Sequence, residues 1–388
     1  MLESLLDHRG LKPILNAMTK ACFLKMGGFM AVTFRNRSLI RITIGLMAVL
    51  CNLPFAQADN ISRSDTREIM QRIQESVYQQ PLQENYLRLY FFPSYPVSMN
   101  WTSPRSLLES SMDGIVSNPN HPISHANVEV HCVNAQTRQT EYHVMAGASS
   151  ENSNHSARLL LKEKVGFSVL ERSWPGAYEN LDEIAESFES RIAAKDPISA
   201  VTYVISESTC QRLQEYHDRM MANPAPTYYG FSARPRFNEG GGCSAFAASF
   251  AEVAGIVDAA LYYRWTQMQR VPLKLMAGYG VEKISVMEVQ ESPHSARWSM
   301  DDEPHMLLEV YDPDQMHRWV MDAANDNHRD QNTKSEVMSA LQFDVRSIES
   351  PDEPIFLGEP DLLSLGRQMW IRNGKSYRAD GSFVMRPH

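Results

Sequence analysis

The stretch from Asn238 to Gly255, Asn-Glu-Gly-Gly-Gly-Cys-Ser-Ala-Phe-Ala-Ala-Ser-Phe-Ala-Glu-Val-Ala-Gly, constrains this chain more than any other. Phe246, Phe250 and Val253 recur at helical spacing, Ala247 and Ala254 widen the same face, and Gly255 is the expected stop. A buried helix is predicted, with Cys243 in its first turn. The unpaired N–H groups and the positive dipole end of a helix N-terminus favour an anion, so a thiol placed there is pushed toward thiolate. Three preceding glycines let the backbone approach a substrate closely, and N–H groups around Gly242 to Ser244 are candidates to hold an oxyanion. A cysteine that merely fills a core needs neither the glycine run nor the helix start.

The N-terminus reads as a targeting segment. Arg35, Arg37 and Arg41 precede an apolar run from Ile42 to Leu50, and Ala56-Gln57-Ala58 supplies a small-residue cleavage site, so residues 1–58 form a leader removed after Ala58. No later stretch approaches the roughly 20 apolar residues of a bilayer span, so no stable transmembrane anchor is expected in the mature chain. Removing the leader takes away seven Lys/Arg and two Asp/Glu, leaving 30 basic against 44 acidic residues and moving the net charge from −9 to about −14. An acidic surface without a basic stripe excludes nucleic acid as a partner. An exported chain, periplasmic or secreted, is free to form disulfides. Of Cys132, Cys210 and Cys243, pairing the first two leaves Cys243 free, although three reduced thiols also fit the sequence.

The mature chain begins with a helix capped at Ser64, a strand from Leu87 to Phe92 and a helix starting at Ser103-Pro104; residues 59–115 read as a helical lead-in packed on the main domain. Val128, Val130 and Cys132 alternate with Asn127, Glu129 and His131 in a half-buried strand, and Thr140 to Met145 returns to complete a hairpin with His125 at its open end. Further strands are expected at 167–170, 201–205, 271–276, 283–289 and 305–311. Helices are expected after Asn180, with Leu181, Ile184, Phe188 and Ile192 buried, after Ser208 with Gln211 as a capping box, and after Asp312-Pro313. Residues 116–325 form the core, and 326–388 hold a loop and short strands around Asn373-Gly374 and Asp380-Gly381. Helices and short strands interleave without a βαβ rhythm, which is α+β.

A nucleophilic cysteine needs a base within hydrogen-bond reach, and that base is commonly a distant histidine. Ser124-His125-Ala126-Asn127-Val128-Glu129-Val130, followed much later by Gly242-Cys243-Ser244-Ala245-Phe246, resembles the circularly permuted papain-like superfamily of NlpC-type peptidases and lecithin:retinol acyltransferase-like proteins. The resemblance covers residues 120–256 and implies a papain-like core in which a cysteine-bearing helix packs on a small antiparallel sheet. It makes Cys243 the nucleophile and His125 the base, with a third polar group on a neighbouring strand. Pairing across the hairpin sets residues near Ala148 opposite His125 and leaves Glu141 and His143 too far along. The Gly-Gly-Gly-Cys lead departs from the Tyr or Asn that many members carry close before the cysteine. The order Cys243, His305, Asp322 matches a transglutaminase-like alternative, but it requires a hairpin over 305–322 where Asp312-Pro313 and the spacing from Met316 to Ala323 favour a helix.

The resemblance implies a cysteine peptidase, amidase or acyl transferase acting on a peptide, amide or ester, with the peptidoglycan peptide as the abundant amide of a bacterial envelope. No cofactor is implied. Zinc binding by His121, His125, His131 and His143 is disfavoured, because the first two lie on a proline-bearing loop rather than a helix. The competing class is a non-catalytic envelope protein that keeps the fold for binding or support. A disulfide at Cys243 would remove the enzyme reading.

Overall fold

The computed structural model describes residues 83–357, apart from 119–120, 122, 153–154, 223–227, 232–233 and 328–337, together with 370–372, 375–377 and 383–384. The leader and the helix expected after Ser64 lie outside these residues. The architecture is a mixed α+β one. Strands β1 (Tyr86–Phe92), β2 (His125–Val133), β3 (Thr140–Ser150), β4 (Trp174–Glu179), β5 (Ile198–Val204), β6 (Tyr228–Tyr229) and β9 (Met338–Asp344) make a seven-stranded sheet. Their order is β6-β4-β3-β2-β1-β5-β9, antiparallel except for the parallel β5/β9 pair. The sheet is thus larger than the small antiparallel one expected. Its central region includes β1, from the stretch read as a lead-in, and its edge is β9, from beyond the expected core boundary at 325.

Helices follow α1 (Pro104–Ser117), α2 (Leu181–Ala194), α3 (Glu207–Ala222), α4 (Cys243–Val253), α5 (Ala259–Trp265), α6 (Val286–Glu291) and α7 (Pro313–Asn327). Strand period sorts β1 between two layers. Leu87, Leu89 and Phe91 join Val128, Val130, Phe246, Phe250, Leu213, Met316 and Val320 in the main core, so α3, α4 and α7 cover one side of the sheet. Tyr90 and Phe92 meet Ile184, Ala185 and Phe188 of α2 on the other. Every residue of α4 except Glu252 is buried, as a helix apolar on all sides demands. Truncating Phe246 or Phe250 to Ala is expected to cost about 3–5 kcal/mol.

Local chemistry explains where the sequence expectations shift. Asn180 caps α2 in a full capping box with Glu183, but the helix buries Ile184, Ala185, Phe188 and Arg191 and leaves Leu181 and Ile192 exposed. In α3 it is Ser206, not Ser208, whose hydroxyl accepts from the Thr209 N–H. Residues 167–170 form a 3-10 turn rather than a strand. The strand expected at 271–276 starts earlier, as β7 (Thr266–Pro272), paired with β8 (His305–Tyr311). Residues 286–291 form α6, because Ser285 and Glu288 make a second capping box. Strand β2 is buried on both faces. Glu129 has no exposure because Arg88, Tyr86, Tyr90 and His143 all bond its carboxylate.

Cys132 and Cys210 form a disulfide tying β2 to α3, and Cys243 is free. The tail strands β10 (Trp370–Arg372), β11 (Lys375–Tyr377) and β12 (Phe383–Val384) make a separate antiparallel sheet. Among the described residues, no helix is long and apolar enough to cross a membrane.

Candidate active site

Cys243 opens α4, and Gly242 is the N-cap residue. A glycine has no side chain to accept from the first turn, so the positive end of the helix is left to the thiol and whatever it binds. The glycine run serves packing before it serves a substrate. At Gly240 φ is +81°, and a Cβ would lie 1.9 Å from the Tyr228 carbonyl oxygen, so only glycine fits. The Gly241 N–H donates to the same carbonyl at 3.0 Å and is unavailable to an oxyanion. Gly242 and Cys243 line a cavity.

His125, the first residue of β2, stands beside Cys243, close enough for the imidazole and the thiol to set each other's ionisation. Its Nε2–H donates to Oε2 of Glu179 at 3.0 Å. Glu179 is the last residue of β4, reached through β3: Asn127 pairs with Gly147, and Gly147 pairs with Glu179. Asn127 donates from Nδ2 to the same Oε2 at 2.8 Å, so the carboxylate is held from two directions. The row requires Gly147, where a Cβ would stand 1.9 Å from Glu179 Oε2 and 2.2 Å from Asn127 Nδ2. Phe92 stacks on the imidazole at 6.0 Å between centroids, and the buried Arg191 guanidinium sits 4.7 Å from the Phe92 centroid. Both His125 and Glu179 side chains retain 15% exposure, so the relay can be reached from solvent.

Electrostatics favours the charged form of the pair. Burial pulls the His125 pKa down, but the Glu179 carboxylate and the Cys243 thiolate outweigh it and raise the value to about 10. Burial pushes the thiol up, yet the adjacent imidazolium outweighs that too and lowers it, with help from the Tyr229 hydroxyl beside it. Burial likewise opposes ionisation of Glu179, and His125 with Asn127 reverses the balance.

The buried Tyr229 hydroxyl lies beside Cys243, where burial and the thiolate push its own pKa far up and it helps to hold the thiol's down. Once sulfur is bonded to an attacked carbonyl carbon, the Tyr229 O–H is a donor beside the position where negative charge would develop on oxygen.

The alternative set is not assembled. His305 pairs with Pro272 at the end of β8 and donates from Nδ1 to the Glu303 carbonyl at 2.7 Å. Asp322 is exposed on α7, so no 305–322 hairpin exists. His121 bonds Ser190, while His131 and His143 belong to the Glu129 cluster and its surroundings. Among the described residues, no group of three or more His, Cys, Asp and Glu is placed to hold a metal.

Sequence reasoning missed Glu179 and assigned Tyr229 no role in the chemistry. Strand β4 carries Pro175 and Gly176, which mask its pattern. A usable signal was the acidic residue directly before the Asn180 helix cap, where a strand ends and a side chain faces an open edge. Comparison of the chain with protein-family models, curated proteins and solved structures finds no match.

Proposed function

We propose that this protein is an exported thiol hydrolase or acyl transferase with a papain-like core, acting on an amide or ester carbonyl through a covalent thioester. The observation that carries the reading is the relay of Cys243, His125 and Glu179, drawn from three separate elements onto one helix N-terminus. Cys243 thiolate adds to the carbonyl carbon, and the Tyr229 O–H, released from sulfur as the C–S bond forms, receives the oxyanion. The His125 imidazolium gives its proton to the departing amine or alcohol, and the neutral ring then takes one from the water, or acceptor alcohol or amine, that opens the thioester. Glu179 fixes the ring and stabilises its cationic form. The Cys132–Cys210 disulfide fits an oxidising compartment outside the cytoplasm.

The test is the alkylation rate of Cys243 by iodoacetamide from acid to alkaline pH, in the protein and in its His125→Ala and His305→Ala variants, with the labelled site assigned by mass spectrometry. The expected result is an apparent thiol pKa well below the ordinary ~8.5, raised in His125→Ala and unmoved in His305→Ala. An inert thiol in the native protein would instead support a binding protein that keeps the fold.

A further inference from the structure

The cavity beside Cys243 has few polar groups. It holds about 230 Å³ and is walled by Trp101, Leu108, Leu160, Phe167, Phe231 and Val289, with Cys243 and Tyr229 at the reacting end. A fully apolar cavity of roughly 150 Å³ already admits a benzene ring, so this one has room for a larger hydrocarbon. Among the described residues the wall contains no Lys or Arg, and its one charged residue is Asp312. Asp312 is already committed, accepting from the Asp314 N–H and the Gln267 amide. The hydroxyls of Ser111 and Ser244, also in the wall, donate to the Leu107 and Tyr311 carbonyls. A peptide carries an amide at every residue and loses free energy where those groups find no partner. A hydrocarbon chain has no such requirement.

We propose that this cavity receives the acyl chain, and that the substrate is an ester of a linear, uncharged fatty acyl group. The inference rests on Cys243 being the nucleophile proposed above. The side of the carbonyl is decided by His125. The leaving group must take its proton from His125, and His125 is not part of the cavity wall whereas Cys243 is. The alcohol therefore departs on the His125 side. The acyl group, bonded to sulfur, stays in the cavity for the lifetime of the thioester. In the first step the C–S bond forms and the C–O bond to the alcohol breaks, with the His125 proton going to the alkoxide. In the second, water adds to the thioester, its proton passes to His125, the C–S bond breaks, and the carboxylic acid and the thiolate are released. One ester and one water become one acid and one alcohol.

The experiment measures acyl-enzyme formation and kcat/KM of the full chain on p-nitrophenyl esters from acetyl to dodecanoyl, and on acetyl esters of alcohols of increasing length. Leu108→Trp and Leu160→Trp, each filling part of the cavity, are measured alongside. The expected result is a kcat/KM that rises roughly fourfold per acyl methylene until the cavity is full, with a lower octanoyl-to-acetyl ratio in both variants. Acylation of Cys243 with no dependence on acyl length, or dependence on alcohol length alone, overturns the lipid inference and leaves the nucleophile standing. Failure of every ester to acylate Cys243, together with slow alkylation, overturns both.

Discussion

Nε2 of His125 lies 3.0 Å from Oε2 of Glu179, although 54 residues separate the two in the chain. The ion pair stabilises imidazolium, and imidazolium in turn stabilises the Cys243 thiolate. Glu179→Gln keeps a hydrogen-bond acceptor but removes the charge. It is expected to lower turnover about 10²-fold and to move the apparent thiol pKa upward, with little change in the thermal midpoint. Parallel alkylation and turnover profiles of the variant check both effects.

Gly147 tests the same relationship without touching either partner. A methyl group there meets the Glu179 carboxylate and the Asn127 amide, so Gly147→Ala must displace one of them. Turnover is expected to fall by at least tenfold, and the thiol profile should shift in the same direction as in Glu179→Gln. A merely structural defect would lower the melting temperature and leave the thiol pKa of the folded fraction in place.

The pH dependence follows from the two shifts in the ion pair. Since His125 is raised to about 10 in the fold, its stabilising contribution is complete below its ordinary ~6.5 and is lost as pH rises through about 10. Cys243 is lowered, so its contribution is present above the ordinary thiol value and is lost as pH falls through the depressed one. The profile of kcat/KM is expected to rise with ionisation of Cys243 and to fall near pH 10 as His125 loses the proton it must donate. In His125→Ala the alkaline limb should vanish.

Tyr229→Phe removes the buried hydroxyl beside Cys243. Loss of one oxyanion donor typically costs 10²–10³-fold in kcat. Here the thiol pKa is also expected to rise. A drop in kcat with KM nearly unchanged, measured on one ester, separates this role from cavity packing.

The Cys132–Cys210 disulfide closes a segment of 78 residues. Chain-entropy reasoning puts its removal at about 4 kcal/mol, so Cys132→Ser with Cys210→Ser should lower the urea midpoint substantially. Cys243 should remain alkylatable in the unreduced native protein, because it takes no part in the bridge.

By itself the sequence determined the α4 helix, its cysteine at the first turn, the His125 hairpin and the caps at Ser103 and Asn180, because each depends on spacing within one or two turns or on strand alternation. The helix after Asp312-Pro313 was legible for the same reason, and it removes Asp322 from any partnership with His305. Only the tertiary structure decided the third member of the relay. Glu179 reaches His125 across two strand pairings, through Gly147 and Asn127, and lateral sheet order leaves no periodicity in the chain. The same holds for β1, whose place between β2 and β5 is set by which apolar faces α2 and α4 can cover together. The glycine run was visible in the sequence, but its purpose was not. Gly240 is required by a carbonyl from a strand twelve residues earlier, and contacts of that kind exist only after the chain has closed on itself.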